Sequence, residues 1–370
     1  MRKLALSDEI LLKVDKAARY IGGEVNSVMK DKNEVEIRFA MCFPDVYEIG
    51  MSNLGMMILY NMFNQREDVW CERLFSPWPD LDKVMREKKI PLFALESQEP
   101  IRDFDFLGIT IGYEMCYTNI LQVLDLSGIP LKSADRGEDF PIVIGGGACA
   151  YNPEPLAPFF DMFYIGEGET VYDALFDAYK ANKKAGGSRK DFLLAAAKIP
   201  GIYVPSLYEV TYKEDGTIAS FAPTADGVPE KVQKQLIIDM EKEYRAVEAP
   251  VVPHIKATQD RVTLEIQRGC IRGCRFCQAG LIYRPTRERD VETLKESARI
   301  MLKNTGHEEI SLSSLSSSDY SQLKELVNFL IEEFHGKAVN ISLPSLRIDA
   351  FALDVMSKVQ DVKKSSLTFA

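Results

Sequence analysis

Val262-Thr-Leu-Glu-Ile-Gln267 runs almost directly into Cys270-Ile-Arg-Gly-Cys274-Arg-Phe-Cys277. The first stretch alternates apolar and polar residues, the pattern of a half-buried strand, and the second places three of the chain's 7 cysteines in one loop. A four-iron cluster used only for electron transfer takes four cysteine ligands, so three thiolates leave one iron open to a small molecule. Catalytic metal sites keep an open position in the same way. The competing readings are a structural zinc site and three unrelated thiols. Zinc takes four ligands, and the nearest histidine, His254, lies on the far side of the strand.

The rest of the chain bounds the possibilities. Its 370 residues suffice for two or three domains, taking about 150 residues for each. Hydrophobic residues make up 46%, enough for sizeable cores, and the formal charge of −10 supplies no basic field for a nucleic-acid backbone. There is no apolar run of about eighteen residues, and the start Met1-Arg-Lys-Leu-Ala-Leu-Ser-Asp8 lacks a secretory apolar core, so the expectation is a cytoplasmic protein with no membrane contact. An odd number of cysteines argues for a reducing compartment. Cys42, Cys71, Cys116 and Cys149 sit in or beside apolar runs and read as core. Arg284, Arg287 and Arg289, just after the cysteine loop, either anchor a carboxylate or phosphate or form a solvated helix start.

Segment 1–30 reads as helical, with Ser7 capping a helix over Asp8–Arg19. Over 31–170, strands expected at Val35–Phe43, Val69–Phe75, Phe106–Gly112, Pro141–Ile144 and Met162–Ile165 alternate with helices, which means an α/β domain with a parallel, doubly wound sheet. Ligands of such folds bind beyond the carboxyl ends of the strands. Those ends carry Asp45-Val-Tyr47-Glu-Ile-Gly50, Thr110-Ile-Gly112, Gly145-Gly146-Gly147 and Gly166-Glu167-Gly168-Glu169. Segment 171–255 reads as a connector with two helices, a β-hairpin turning at Asp215-Gly216 and a proline-spaced crossing at Pro250–Pro253. In 256–370, strands at Val262–Gln267, Glu309–Leu315, Val339–Leu343 and Ser366–Ala370 alternate with helices, the start of a βα barrel whose functional residues gather at the carboxyl ends of the strands.

The C-x3-C-x2-C spacing with Phe276 before the last cysteine resembles the radical S-adenosylmethionine (radical SAM) superfamily. The resemblance implies a [4Fe–4S] cluster on Cys270, Cys274 and Cys277, with S-adenosylmethionine on the open iron and a 5′-deoxyadenosyl radical as product of its reductive cleavage. Phe276, the serines Ser313 and Ser314 where the superfamily often has Gly-Gly-Glu, and Ser345 and Arg347 after the third strand are the expected S-adenosylmethionine contacts. A serine-rich helix cap ending in Ser318 or Asp319 is compatible with them.

The N-terminal loops are similar to those of the B12-binding domain, D-x-H-x-x-G, S-x-L and G-G. Tyr47 stands at the histidine position, and Thr110-Ile-Gly112 replaces S-x-L. The expected cobalamin contacts are Asp45, Tyr47, Gly50, Thr110, Gly112, Gly145, Gly146 and Glu167, with no protein imidazole on cobalt. A flavodoxin-like domain without that cofactor is the other reading.

The whole chain thus resembles B12-binding radical SAM proteins, a flavodoxin-like domain followed by the first four strands of a partial TIM-type barrel. The superfamily barrel has six strand–helix units, which implies a fold continuing past Ala370. The implied activity is radical-based methylation, methylthiolation or rearrangement of a substrate, with RNA among the open classes and flavodoxin or ferredoxin as electron donor. A non-catalytic cobalamin or Fe–S sensing module is the alternative.

Overall fold

The computed structural model describes residues 3–337 and 339–347. The chain divides into two compact units, Met1–Gly23 with Ser27–Leu236, and Glu24–Asn26 with Ile237–Ala370.

The first unit is built on strands β1 (Ile37–Phe43), β2 (Val69–Phe75), β3 (Phe106–Thr110), β4 (Ile142–Gly146), β5 (Met162–Tyr164) and β6 (Ile202–Tyr203). They lie in the order β2-β1-β3-β4-β5-β6, parallel except for the antiparallel β5–β6 pair. Order 2-1-3-4-5 is the flavodoxin-like winding, with its switch point between β1 and β3. Every residue of β1 and β2 is buried, as parallel strands covered on both faces require. One face carries Phe39, Phe63, Phe106, Phe176 and Phe192, with Phe39 and Phe63 ring centroids 4.9 Å apart. Gly108 in β3 makes that packing possible, since a Cβ there would come within 2.3 Å of the Phe39 ring. On the other face the helices Pro79–Lys88 and Tyr117–Leu126 bury Leu81, Met85, Ile120, Val123 and Leu124.

Two expectations change here. The segment after residue 170 is not merely a connector, because helices Tyr172–Lys184 and Arg189–Ala196 supply Phe176 and Phe192 to the first unit's core and β6 extends its sheet. The hairpin follows as β7 (Tyr208–Tyr212) and β8 (Ile218–Pro223), with Gly216 at positive φ in its turn. The N-terminal helix spans only Asp8–Leu11. Lys16 is left-handed, and tertiary pairing of Arg19 with Glu48 at 2.8 Å and of the Asp15 amide with Asp80 at 2.6 Å outweighs helix propensity.

The edge strand β2 carries two charges that its apolar context disguises, Glu72 and Arg73, both fully buried. Residues 95–99 lie along it in place of a further strand. Leu95 N donates to Arg73 O at 2.9 Å, while Glu96 accepts from the Arg73 backbone N and Nε, both at 2.6 Å. Glu72 pairs with Arg38 at 2.6 Å and accepts from Ser97 N at 2.8 Å. The Glu96 carboxylate thus satisfies a backbone donor of a strand that has no outer neighbour, and Glu72 in return satisfies one of the covering segment, the requirement every buried edge must meet.

In the second unit, β9 (Val262–Glu265) is followed by a two-residue ladder of β10 (Gln267–Arg268) with β11 (Arg287–Glu288), then β12 (Glu309–Ser313) and β13 (Asn340–Ser342). The three longer strands form a parallel sheet in the order β13-β12-β9. Helix Val291–Thr305 crosses from β9 to β12, capped by the Asp290 side chain and ended by Gly306 at φ 71°. Val291, Leu294, Ala298, Met301 and Leu302 form its buried stripe. Helix Leu323–Glu333 makes the next crossover. The expected fourth strand and the helix before it lie outside the described residues. Among the described residues no helix is long and apolar enough to cross a membrane.

Glu96→Ala is expected to leave the Arg73 guanidinium buried without its counter-charge and to destabilise the first unit by about 3–5 kcal/mol. Urea unfolding followed by circular dichroism measures it, and a loss below about 1 kcal/mol would mean that water or Met51 takes over the role of the carboxylate.

Candidate functional site

The β9–β12–β13 sheet sends three successive loops to one edge. The loop after β9 holds the three cysteines. Cys274 is exposed and Cys270 and Cys277 are partly so, whereas Cys42, Cys71, Cys116 and Cys149 are buried, and that burial raises their thiol pKa values. The Cys277 amide closes a turn onto the Cys274 carbonyl at 3.0 Å. Among the described residues no three His, Cys, Asp or Glu side chains are gathered into a metal-holding set. The three thiols fit an iron–sulfur cluster by donor type, shared loop and access, and metal binding would complete the ordering of such a loop.

The base of this loop is tightly built. Gly269 adopts φ 82°, and a Cβ there would meet the carbonyl oxygens of Pro285 at 2.6 Å and Tyr283 at 2.7 Å. Arg287, buried, donates to the same two carbonyls at 3.0 and 3.2 Å and also to Ile237 O. Arg289, also buried, lies over the Tyr244 ring at 4.3 Å, and Arg284 donates to Arg272 O at 2.8 Å. Arg287 is therefore part of the scaffold of the loop, and the exposed helix start expected from sequence does not describe the buried Arg287 and Arg289.

The expected S-adenosylmethionine contacts divide. Phe276 is 93% exposed and stands apart from the others. Ser313 ends β12 and accepts Ile266 N through its carbonyl at 3.0 Å. The Ser314 hydroxyl meets that of Ser317 at 3.1 Å. Ser345 is exposed and left-handed at φ 57°, its carbonyl accepting Ser317 N, and Arg347 N donates to Ser318 Oγ at 3.0 Å. Three residues missed from sequence join this cluster. Asp319 accepts from Arg272 of the cysteine loop at 3.2 Å and faces Arg347 at 3.6 Å, and buried Gln267 donates to Ser316 O at 3.1 Å. Burial pushes the Asp319 carboxyl up, but hydrogen bonds from Arg272 and Ser316 and the charges of both arginines hold it below its ordinary value. Neither Ser318 nor Asp319 caps the following helix, which begins at Leu323. An aspartate following a serine run was the available signal, and it reads more readily as a cap.

In the first unit the switch point carries a bond between the Tyr113 hydroxyl and the Asp45 carboxylate. Burial, then that carboxylate, push the Tyr113 phenol up to about 12, so at neutral pH it donates. Thr110 pairs with Gly146 across β3 and β4. Gly112 and Gly146 face open space, a cradle that a side chain would fill, whereas Gly50 and Gly145 are packed against Phe75 and against Phe163, Ile111 and Phe160. Tyr47 is 1% exposed, its ring on Phe75 at 5.3 Å, so it lies in the core rather than at the sheet edge. Glu167 is buried, with its backbone amide bonded to Gln235 O at 3.0 Å and its carbonyl taken by Tyr164 at 2.5 Å.

Residues 55–205 match the family described as "Radical SAM proteins, N-terminal", and residues 264–369, which include the cysteine loop, match "Radical SAM superfamily". Two stretches of the chain thus match radical SAM family models. An uncharacterized protein of Methanocaldococcus jannaschii is 27% identical over 332 residues, 90% of this chain and 59% of that protein. The chain thus spans about three-fifths of the length of this curated relative. Among solved structures, the radical S-adenosylmethionine methyltransferase TsrM from Kitasatospora setae, with cobalamin and a [4Fe-4S] cluster bound, aligns with a TM-score of 0.49 at 11% identity over 90% of this chain and 66% of that one. The same enzyme with tryptophan substrate and aza-SAM aligns at 0.47 and 12%, over 90% of this chain and 67% of that one.

At the base of the cysteine loop, Gly269→Ala is expected to destabilise the second unit by at least the strain of a non-glycine residue at positive φ, about 1–3 kcal/mol, because the new methyl group also strikes two carbonyl oxygens. Urea unfolding of the iron-free protein measures this, and wild-type stability would show that the return segment moves aside freely.

Proposed function

We propose that this chain is a radical SAM enzyme that holds a [4Fe–4S] cluster on Cys270, Cys274 and Cys277 and carries out radical-based methylation, methylthiolation or rearrangement of a substrate. The observation that carries this is a three-cysteine loop at the carboxyl end of the first strand of a parallel sheet, within a segment matching the superfamily. When bound, the cluster supplies the electron for reductive cleavage of S-adenosylmethionine. The residues around it offer polar groups to that cofactor: the hydroxyls of Ser314 and Ser345, the serine carbonyls and the Arg347 guanidinium. A flavodoxin or ferredoxin would deliver the electron, and the reading is of a cytoplasmic enzyme.

Cobalamin in the first unit is part of the proposal. The open space at Gly112 and Gly146 supports it, beside Thr110 and at the switch point where such sheets bind ligands. Tyr113, held by Asp45, then takes the place beside the cofactor that sequence alone assigns to Tyr47.

Anaerobic reconstitution with iron and sulfide, followed by S-adenosylmethionine and dithionite, is expected to yield 5′-deoxyadenosine by liquid chromatography. Alanine at Cys270, Cys274 or Cys277 is expected to abolish the cluster's visible absorption and its EPR signal, while Cys42→Ala and Cys149→Ala retain both. A triple-cysteine variant that still takes up a four-iron cluster would refute the assignment. For cobalamin, wild-type protein is expected to keep hydroxocobalamin through gel filtration and Gly146→Trp to lose it, since that side chain fills the open space without entering the core. Equal retention by both would remove cobalamin from this edge.

A further inference from the structure

We propose that Asp319 is the positioning residue of the cysteine loop, its carboxylate fixing Arg272 and hence the backbone between Cys270 and Cys274 for the cluster. The inference rests on the cluster reading above. Asp319 ends the single turn Ser317–Asp319 after β12, and its side chain is 10% exposed. It accepts Ser316 Oγ at 2.8 Å and Arg272 Nη2 at 3.2 Å, with Arg272 Nε at 3.5 Å, and faces Arg347 Nη1 at 3.6 Å.

The carboxylate sits on the rigid side of this contact. Ser317 is fully buried and donates to Pro344 O at 2.6 Å, Ser318 Oγ accepts Arg347 N at 3.0 Å, and Gln267 Nε2 donates to Ser316 O at 3.1 Å. That turn is therefore fixed to the ends of β9 and β13 independently of the cysteine loop. Arg272 is on the adaptable side, with 42% of its side chain exposed and its carbonyl held by Arg284 at 2.8 Å. Residue 272 is thus gripped at both its side chain and its backbone, in the middle of the longer gap between cysteines.

Charge explains why a carboxylate is tolerable here. Three thiolates around a cluster make an anionic site, and a lone aspartate nearby would oppose them. Asp319 faces two guanidiniums, so the clasp brings net positive charge to the loop. Pre-ordering also lowers the conformational entropy lost when the loop closes on metal, and a contact that persists in the closed loop must break before the loop opens to release iron.

The test is the rate at which a chelator removes iron from reconstituted protein, with melting of the iron-free protein as the measure of fold. Asp319→Asn and Arg272→Gln are each expected to release iron about fivefold faster, the scale of a partly exposed ion pair, with iron-free melting close to wild type. The double variant is expected to be no faster than the faster single variant, because both act through one contact, and Arg272→Lys is expected to recover part of the loss. A general loss of stability would instead make the two effects add. Wild-type release rates in both single variants, or additive effects in the double, overturn the positioning role while leaving the cluster reading in place. Wild-type protein that takes up no iron overturns both.

Discussion

Parallel pairing is the constraint on which the rest of the second unit depends. A strand cannot pair in parallel with the next without a crossover, so the chain leaves every strand of such a sheet at the same edge. With Leu264 opposite Leu312 and Ile310 opposite Ile341, the ends of β9, β12 and β13 come into line, spaced about 4.8 Å from strand to strand. Loops distant in sequence then lie within reach of one carboxylate, and Asp319 can meet Arg272, 47 residues before it, as well as Arg347. Val262, Leu264, Ile310 and Leu312 bury one face of the sheet with apolar side chains, which leaves the strand ends as the place for polar chemistry.

The same rule acts in the first unit, with a reversal of winding direction added. Chain direction across the sheet changes between β1 and β3, and there the connecting helices diverge and open a crevice. Asp45 from the end of β1 and Tyr113 from just beyond β3 meet across that point. A phenol with its pKa pushed up to about 12 is a neutral donor, which suits it to orient a carboxylate and makes it a poor anionic ligand for a metal. Covering β2 demands a different device, because a seven-residue buried edge strand needs partners for its outward amides. Glu96 takes the Arg73 amide, Glu72 of the strand itself accepts from the Ser97 amide of the covering segment, and the arginines Arg73 and Arg38 offset the buried charge.

Much of this fold was legible in the chain. Strand β2 lies at the residues its apolar run marks, β1 and β3 begin or end within two residues of expectation, and the Asp215-Gly216 turn falls in the hairpin. Local pattern decides such elements, since buried parallel strands and two-period alternation leave direct marks in sequence. What escaped was settled by long-range contact. The N-terminal helix stops at Leu11, short of the Arg19 that turns to Glu48, and residues 171–203 look like a connector until Phe176 and Phe192 are placed on the sheet. In the candidate sites the cysteine spacing was evident. The Asp319 contacts were not, for they join residues 28 to 47 positions apart. Tyr47 was misjudged because a motif aligns positions and says nothing of which way the chain turns the ring.

The environments of the seven cysteines separate what spacing alone cannot. A thiol must lose its proton to bind metal, and burial opposes that loss. Cys42 and Cys71 lie wholly in the core, and Cys116 and Cys149 are buried as well, so burial, the leading cause for each, raises all four thiol pKa values and disfavours the thiolate. Cys270, Cys274 and Cys277 reach solvent on a loop whose neighbours Arg272 and Arg284 add positive charge without supplying a competing ligand. Fixing such a loop at its base, through Gly269 and Arg287, while leaving its thiols accessible, reconciles a rigid frame with ligands that can still move to meet a metal. That division between fixed backbone and free sulfur follows from where the chain spends its buried hydrogen bonds: on the carbonyls of Tyr283 and Pro285, and not on the cysteines.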